Sequence, residues 1–257
     1  NILLSMKSIK DMSHGGAYVN NLFGGFISMC PVPDRFTPYH FPHETAVAGV
    51  VRIMGGDNRF YNNIFMGTQA EHIEKEAAIG YSNWYHDGTV KDADGKVPKG
   101  LYTYDECPSP EQWEIWKKDL HGVLDFARAK LPMYCASNLY FGDATPFIHG
   151  EHGSIRFAEM NPQLILETRG EDVYLVYDFS NKTDAVTAEV ITTAILGYAF
   201  ESRARFENPD ATPVRIGLDF FGESRPVGAV TVGPFSRVKN GKNEIKVGRL
   251  NGYVERA

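Results

Sequence analysis

Two phrases in the chain are nearly identical: NNLFGG at residues 20–25 and NNIFMG at residues 62–67. Asn21 and Asn63 stand 42 residues apart, and the related phrase NILL begins at Asn1, 20 residues before Asn21. Repetition at a fixed spacing of this size is typical of proteins built from stacked repeats. The sequence therefore predicts a right-handed parallel β-helix whose coils recur about every 20–21 residues.

The repeated asparagines are predicted to be structural. At equivalent turns of a stack, Asn tolerates a left-handed backbone and can bond to the next coil. A fourth copy, SNLYFG at 137–142, places Asn138 in the same role. Between the copies, residues 31–44 are expected to leave the stack as a loop, and residues 46–54 are expected to return as a strand.

A helical insert is predicted at about 68–132. The composition of residues 68–80 favours a helix, and residues 109–132 carry the signals of a second one. Ser109 suits the N-cap and Pro110 suits the first helical position. Apolar side chains then recur three and four residues apart, as on one face of a helix.

After residue 150 the pattern changes to strands separated by turn residues. Strands at this spacing favour a small antiparallel β-sandwich. The predicted fold is thus mainly β, with the terminal β-helix coils and their helical insert in residues 1–150 and a β-sandwich domain in residues 151–257. The strands predicted for this second domain cover 173–179, 185–195, 214–222, 227–239 and 243–250.

Composition narrows the range of partners. A net charge of −6 over 257 residues, without a run of Lys or Arg, gives no basic surface for a nucleic acid. No apolar run reaches the roughly 20 residues that cross a bilayer, so no membrane partner is predicted. Cys30, Cys107 and Cys135 are too widely spaced for a disulfide framework or a CxxC metal pair, and we expect buried thiols. No metal and no cofactor is predicted.

The densest polar group lies in TPYHFPHETAVAG, where Tyr39, His40, His43 and Glu44 fall within six residues. Pro38 and Pro42 exclude a regular helix, so the spacing of the two histidines does not define a metal pair. One interpretation is a loop that contacts a sugar or another polar ligand. The other is a loop whose rings pack on the coil and whose histidines bond to the backbone.

A second polar group lies in GGDNRFYNN, where Asp57 and Arg59 follow two glycines. A carboxylate and a guanidinium two residues apart at a turn more often tie the turn together than act on a substrate, so a structural role is predicted. No catalytic residue is assigned, because no pair of carboxylates is singled out by its context. The chain also has no GxSxG, HExxH or glycine-rich phosphate motif.

The phrases DMSHGGAYVNNLFGG, TPYHFPHETAVAG, GGDNRFYNNIF and NLYFGDATPF resemble the C-terminal part of glycoside hydrolase family 120. That family consists of β-xylosidases in which a right-handed parallel β-helix accompanies a β-sandwich. The resemblance is concentrated in residues 10–67 and 137–178, and it leaves out the helical insert.

The resemblance implies retaining hydrolysis that releases xylose from xylo-oligosaccharides, with an Asp nucleophile and a Glu acid/base. It places both carboxylates in coils upstream of Asn1, so an N-terminal β-helix segment of the same enzyme is an expected partner, as is a second copy in a homo-oligomer. It leaves the compartment open, with the cytoplasm or periplasm of a bacterium favoured.

By position, the resemblance also gives the loop from Tyr39 to His43 and the turn with Asp57 and Arg59 a role in shaping the rim of the substrate cleft or a subunit contact. Glu44 departs from the family pattern, in which a small hydroxyl residue follows the second His. Its carboxylate is expected either to accept a hydrogen bond from a sugar hydroxyl or to pair with an arginine, Arg35 or Arg59.

Two other classes of function stay open. The first is a non-catalytic carbohydrate-binding or assembly module that stacks sugars on aromatic side chains, namely Trp84, Tyr85, Tyr102 and Tyr104. The second is a polysaccharide lyase, which is less favoured because its usual Ca²⁺-binding carboxylates would have to come from Asp92 and Asp94, in a predicted surface loop.

Overall fold

The computed structural model describes residues 1–5, 7–29, 32–53, 55–67, 85–86, 131, 133–144, 146–147, 151–226, 228 and 230–250. In this part of the chain the fold is mainly β, and helical structure consists of a 3-10 turn at Lys182–Ala185 and one short helix, α1 (Thr193–Leu196). Both helices predicted within 68–132 lie outside the described residues.

The strands are short and belong to several sheets. In chain order they are β1 (Ile2–Leu3), β2 (Lys7–Asp11), β3 (Ala17–Val19), β4 (Leu22–Phe23), β5 (Phe26–Met29), β6 (Val32–His40), β7 (Val47–Ile53), β8 (Asn58–Tyr61), β9 (Ile64–Phe65), β10 (Tyr85–His86), β11 (Met133–Ala136), β12 (Leu139–Phe141), β13 (Ile155–Phe157), β14 (Ile165–Arg169), β15 (Asp172–Asp178), β16 (Ile191–Thr192), β17 (Arg215–Ile216) and β18 (Lys242–Arg249).

Three parallel sheets hold the first part of the chain together. Strands β1, β4, β9, β12 and β13 form one of them, and the other two have the orders β2-β5-β10 and β3-β8-β11. The chain visits the three sheets in the same sequence on each of three passes. Each pass therefore adds one parallel strand to every sheet, as expected for stacked repeats.

A ladder of asparagine side chains runs through the stack beside the first sheet. Each side-chain amide donates to the carbonyl oxygen of the next Asn, over 2.9 Å from Asn1 to Asn21, 3.0 Å from Asn21 to Asn63 and 3.2 Å from Asn63 to Asn138. The backbone N–H of Asn138 then donates to Ser154 Oγ over 2.8 Å. The predicted ladder is confirmed, and so is the place of Asn138 in it.

The expected uniform period of about 20–21 residues is wrong between Asn21 and Asn63. These two residues contact each other directly, so the 42 residues that separate them make a single pass. The extra length is an antiparallel hairpin of β6 and β7. The loop predicted at 31–44 is thus largely the strand β6, whereas the strand predicted at 46–54 corresponds to β7.

The prolines in residues 31–44 do not prevent this segment from forming a strand. Proline lacks the N–H that a sheet ladder needs, but an edge strand tolerates it where that position faces away from the partner. In the two-stranded hairpin both strands are edges, and Pro38 lies opposite Val50. The hairpin can therefore include Pro38 within β6.

The first parallel sheet separates two hydrophobic clusters. Side chains alternate across a strand, and accordingly Leu22 faces one cluster while Phe23 faces the other. We call the cluster that contains Phe23 the inner cluster and the one that contains Leu22 the outer cluster. In the inner cluster the ring of Phe65 stacks on those of Phe23 and Tyr140, and both pairs of ring centroids are 4.9 Å apart. The outer cluster joins Leu22 to residues beyond 150, including Tyr177. Burial of this outer face against the C-terminal region stabilises the stack.

Beyond residue 150, two of the five predicted strands are much shorter than expected, and the described part of a third contains no strand. β15 and β18 match the predicted strands and make an antiparallel sheet in the order β14-β15-β18. The ranges 185–195 and 214–222 contain only the two-residue strands β16 and β17, and the described part of 227–239 contains none. The β-sandwich and its boundary near residue 150 stay predictions.

Side chains from the stack replace part of the missing strand pairing. Residues 187–190 lie next to the stack, where Ser137 Oγ donates to the carbonyl oxygen of Thr187 over 2.9 Å. On the neighbouring pass, Asn62 Nδ2 donates to the carbonyl oxygen of Glu189 over 2.8 Å. Residues 187–190 belong to no strand, and their carbonyl oxygens accept hydrogen bonds from these side chains and from the backbone N–H of Val230.

Candidate functional site

Tyr39 lies inside the hairpin of β6 and β7. Its side chain is buried in a cluster with Val51, Leu131 and Phe200. Gly49 makes room for the ring, because a Cβ at this position would lie 2.7 Å from the nearest atoms of Tyr39. Tyr39 therefore anchors the hairpin to Phe200, and its predicted contact with a sugar stays a prediction.

The other three residues of the predicted rim are exposed at the tip of the hairpin. His40 Nδ1 lies 3.0 Å from the carbonyl oxygen of Ala46, and His43 Nε2 lies 2.8 Å from Glu207 Oε1. The carboxylate of Glu44 is exposed beside them. The structure thus binds both histidines to protein groups, and it leaves Glu44 open to solvent.

Asp57 and Arg59 form a buried ion pair below the hairpin. Arg59 Nη1 lies 2.6 Å from Asp57 Oδ1, and both side chains are 2% exposed. Asp57 adopts a φ of 56°, in the left-handed region, which few residues other than Gly and Asn occupy without cost. The ion pair therefore lies at an unusual turn, and the structural role predicted for it stays a prediction.

The Arg59 guanidinium also reaches the C-terminal region. It donates to the carbonyl oxygens of Leu196 and Tyr198 over 3.0 and 2.6 Å. Its carbon lies 4.4 Å from the ring centroid of Tyr134 and 4.6 Å from that of Phe206. Planar stacking and a fork of donors are both properties of Arg that Lys lacks. Arg59 thus connects the stack to residues 196–206.

Burial dominates the electrostatics of Asp57. Its removal from water raises the pKa of the carboxyl group above the usual value, although Arg59 and the backbone N–H of Phe200 oppose this effect. That N–H lies 2.7 Å from Asp57 Oδ2, and the nearby Glu201 raises the pKa further. Asp57 therefore holds its proton to a higher pH than an exposed carboxyl group would.

Two further polar contacts in this region were missed by sequence reasoning. His14 Nδ1 contacts Glu201 Oε1, and both side chains are largely buried. Asp11 accepts hydrogen bonds from the Ser13 hydroxyl, at 2.7 Å, and from Asn58 Nδ2, at 2.8 Å. The signal was present in DMSHGG, where an Asp and a His precede a glycine pair, but the partner of His14 lies 187 residues away.

We call this group the charged junction; it consists of Asp11, His14, Asp57, Arg59 and Glu201. Its His–carboxylate pair and its carboxyl group with a raised pKa can hold and move protons. Both groups are, however, turned into the protein and engaged by protein partners. The junction thus fixes residues 196–206 against the stack, and Phe200, whose N–H it binds, lies in the same cluster as Tyr39 of the hairpin.

A cavity of about 260 Å³ lies at the end of the stack formed by the first strands of the sheets. Tyr18 lines it, and burial together with the charge of Asp11 raises the pKa of the Tyr18 hydroxyl. The cavity is slightly below the roughly 300 Å³ at which pockets for small ligands begin. Its other lining residues are Asn1, Leu3, Ile9, Ala17, Val19, Asn21 and Ile216.

Some predicted features fall outside the described residues, or have only their backbone described. Trp84, Tyr102 and Tyr104 lie in the first group with Asp92 and Asp94, and only the backbone of Tyr85 is described. Among the described side chains, no three His, Cys, Asp or Glu residues come together as metal ligands would. No helix in the described ranges is long and apolar enough to cross a membrane.

Comparison with known proteins gives one informative match. No protein-family model matches the chain, and no curated protein matches it. Among solved structures, the chain is similar to XylC, whose structure was determined in complex with xylose. The two share 31% sequence identity, and they superpose with a TM-score of 0.74. The match includes 96% of this chain and 35% of XylC, so the chain spans about a third of that protein's length.

Proposed function

We propose that the chain is the C-terminal part of a glycoside hydrolase that releases xylose from xylo-oligosaccharides. The observation that carries this proposal is the match to XylC, which extends over nearly the whole chain at 31% identity and concerns a protein that binds xylose. Sequence identity over nearly the whole chain supports a shared ligand class, which a shared fold alone would not.

The proposed architecture is the end of a right-handed parallel β-helix. Three observations support it: the order in which the chain visits three parallel sheets, the continuous asparagine ladder, and the rule that parallel crossovers are right-handed. A β-helix gives a glycosidase a rigid surface on which loops such as the β6–β7 hairpin can define a cleft.

The proposed reaction retains the anomeric configuration and needs two carboxylates about 5 Å apart. We place that pair outside the described residues, and the family resemblance puts it in coils that precede Asn1. The two aspartates of the charged junction support this placement. Asp11 is bound by Ser13 and Asn58, and Asp57 is bound by Arg59 and Phe200, so neither is available to a sugar.

The hairpin tip is proposed as a rim of the substrate cleft. Glu44 is its exposed carboxylate, and a charged acceptor forms the stronger class of hydrogen bond with a sugar hydroxyl. His43 supports the tip through its contact with Glu207. Tyr39 packs in one cluster with Phe200, and the N–H of Phe200 donates to Asp57 of the charged junction. In this proposal these residues contribute to binding by holding the tip in place.

An assay with aryl β-xylosides tests the proposal. We expect hydrolysis of the β-xyloside in preference to the matching β-glucoside when the protein includes its upstream coils, and no turnover by residues 1–257 alone. Turnover by residues 1–257 alone would place the catalytic pair inside the chain and contradict its proposed position in upstream coils. The absence of turnover from the longer protein as well would contradict the proposal.

A further inference from the structure

A short loop of the C-terminal region exposes three large apolar side chains. Leu218, Phe220 and Phe221 are 57%, 41% and 53% exposed. Scattered apolar residues are normal on a protein surface, but a group of them on one loop often marks a binding site.

The loop is held in one conformation by Asp219. Its Oδ1 accepts hydrogen bonds from the backbone N–H groups of Phe221, at 2.9 Å, and Glu223, at 3.0 Å. Its Oδ2 accepts from the N–H and the hydroxyl of Ser236, at 3.1 and 2.7 Å. Although partial burial of this carboxyl group opposes the effect, these hydrogen bonds hold its pKa below the usual value. The carboxylate thus fixes the loop around it.

A buried arginine, Arg225, also holds this loop in place. Arg225 is 3% exposed and donates to the carbonyl oxygens of Leu218, Thr231 and Gly233, over 3.3, 2.7 and 2.7 Å. Because its guanidinium faces backbone carbonyl groups, its charge is not presented to solvent. The loop therefore displays apolar side chains on a rigid frame that keeps its own cation buried.

The two exposed rings form a corner. Phe220 and Phe221 have ring centroids 5.2 Å apart and planes at 87° to each other. Both rest on the buried ring of Phe235, at 5.9 and 5.8 Å. Rings supported in this way lose little conformational freedom when a ligand stacks on them, which favours binding.

The size of the surface indicates a small ligand. The exposed parts of the three side chains amount to about 300 Å², whereas a stable protein interface buries about 800 Å² on each partner. A xylopyranose unit carries its hydroxyls equatorially, so each face of the ring is lined by C–H groups. A neutral face of this kind complements an aromatic ring, and a chain of such units extends beyond a single contact.

We propose that Leu218, Phe220 and Phe221 form a saccharide-binding platform that holds xylan-type chains by stacking. The assignment to xylan, as opposed to another neutral polysaccharide, rests on the function proposed above. Stacking of a saccharide on both rings explains why they are exposed and why they are perpendicular to each other. It also explains why Asp219 and Arg225 hold the loop in one conformation.

Native electrophoresis in gels that contain soluble xylan tests the platform. We expect xylan to retard the protein, and the double substitution Phe220→Ala and Phe221→Ala to weaken the apparent affinity by about fivefold or more. Phe221→Trp should keep or strengthen the retardation. Tyr198→Ala is the matched control, since it removes a 55% exposed ring from a different loop and should migrate like the unsubstituted protein. Urea midpoints establish that each variant is folded.

Equal retardation of the double variant and the unsubstituted protein would overturn the platform. So would a loss of self-association in the double variant without a change in xylan binding, because the surface would then be a contact between copies. Aryl-xyloside hydrolysis separates the two proposals. In the protein that includes its upstream coils, retardation that depends on Phe220 and Phe221 without hydrolysis supports the platform and contradicts the glycosidase, whereas hydrolysis with retardation unchanged by the double substitution contradicts the platform alone.

Discussion

The side-chain carbonyl oxygen of Asn63 accepts two hydrogen bonds from Asn21, one from the backbone N–H at 2.9 Å and one from the side-chain amide at 3.0 Å. The next pass repeats the arrangement, because Asn138 Oδ1 accepts from the N–H and the amide of Asn63 at 2.9 and 3.2 Å. Asn63 therefore accepts hydrogen bonds from the preceding Asn and donates to the following one, which connects three neighbouring passes of the stack.

Replacing Asn63 with Ala is expected to lower the free energy of unfolding by about 3–5 kcal/mol, because the removed side chain leaves buried polar groups of Asn21 and Tyr18 without partners. Urea unfolding measures the change. Asn208→Ala removes a half-buried asparagine whose side-chain hydrogen bonds are exposed to solvent, and it should cost less than about 1 kcal/mol. Similar losses for the two variants would show that the ladder contributes little.

The raised pKa of Asp57 predicts a pH dependence of stability. At pH values between the usual pKa of 3.8 and the higher pKa in the folded state, the folded protein binds more protons than the unfolded one. Stability contributed by Asp57 must therefore fall as the pH rises through that window. Urea midpoints of the protein and of Asp57→Asn, measured between about pH 4 and pH 7, give the difference.

The Asp57→Asn variant is expected to be less stable overall, because Arg59 loses its charged partner. Its stability should nevertheless decline less steeply with rising pH than that of the unsubstituted protein. Parallel pH profiles, or a steeper decline in the variant, would mean that Arg59 outweighs the effect of burial on this carboxyl group.

Gly49→Ala tests the packing of the hairpin. A Cβ here would lie 2.7 Å from the ring of Tyr39, so we expect a loss of about 1–3 kcal/mol in unfolding free energy. Gly248→Ala is the control, because it adds the same methyl group within β18, where no atom lies within 4 Å. Equal stability of the two variants would show that the ring of Tyr39 moves aside without cost.

Glu44→Gln tests the proposed rim. If the carboxylate accepts a hydrogen bond from a sugar hydroxyl, the variant should raise KM for xylobiose by about tenfold and leave the urea midpoint unchanged. Glu159→Gln replaces another exposed glutamate and should leave KM unchanged. An unchanged KM in Glu44→Gln would remove Glu44 from the substrate site.

Local repetition made part of this structure predictable from the sequence. The asparagine ladder and the place of Asn138 follow from a phrase that recurs wherever the chain makes the same turn. The hairpin did not follow, because Pro38 signals a loop unless the sheet is known to end there. The segment near Glu189 was predicted as a strand, but its carbonyl oxygen accepts from the Asn62 side chain, which is 127 residues away in the sequence.

The contacts of the charged junction could be predicted from the sequence only in part. Asp57 and Arg59 lie two residues apart, so their pairing was predictable as a property of one turn. The contact of His14 with Glu201 and the bonds from Arg59 to Leu196 and Tyr198 join residues that are more than a hundred positions apart. No local pattern specifies such pairs, because they depend on how the C-terminal region packs against the stack.

The most direct test of the account follows the products of xylobiose hydrolysis by NMR, with the protein including its upstream coils. We predict that xylose is released and that the β-anomer appears first, before mutarotation, as retaining hydrolysis requires. Release of the α-anomer first would contradict the proposed mechanism. The absence of any xylose release would contradict the central claim that this chain belongs to a xylose-releasing glycosidase.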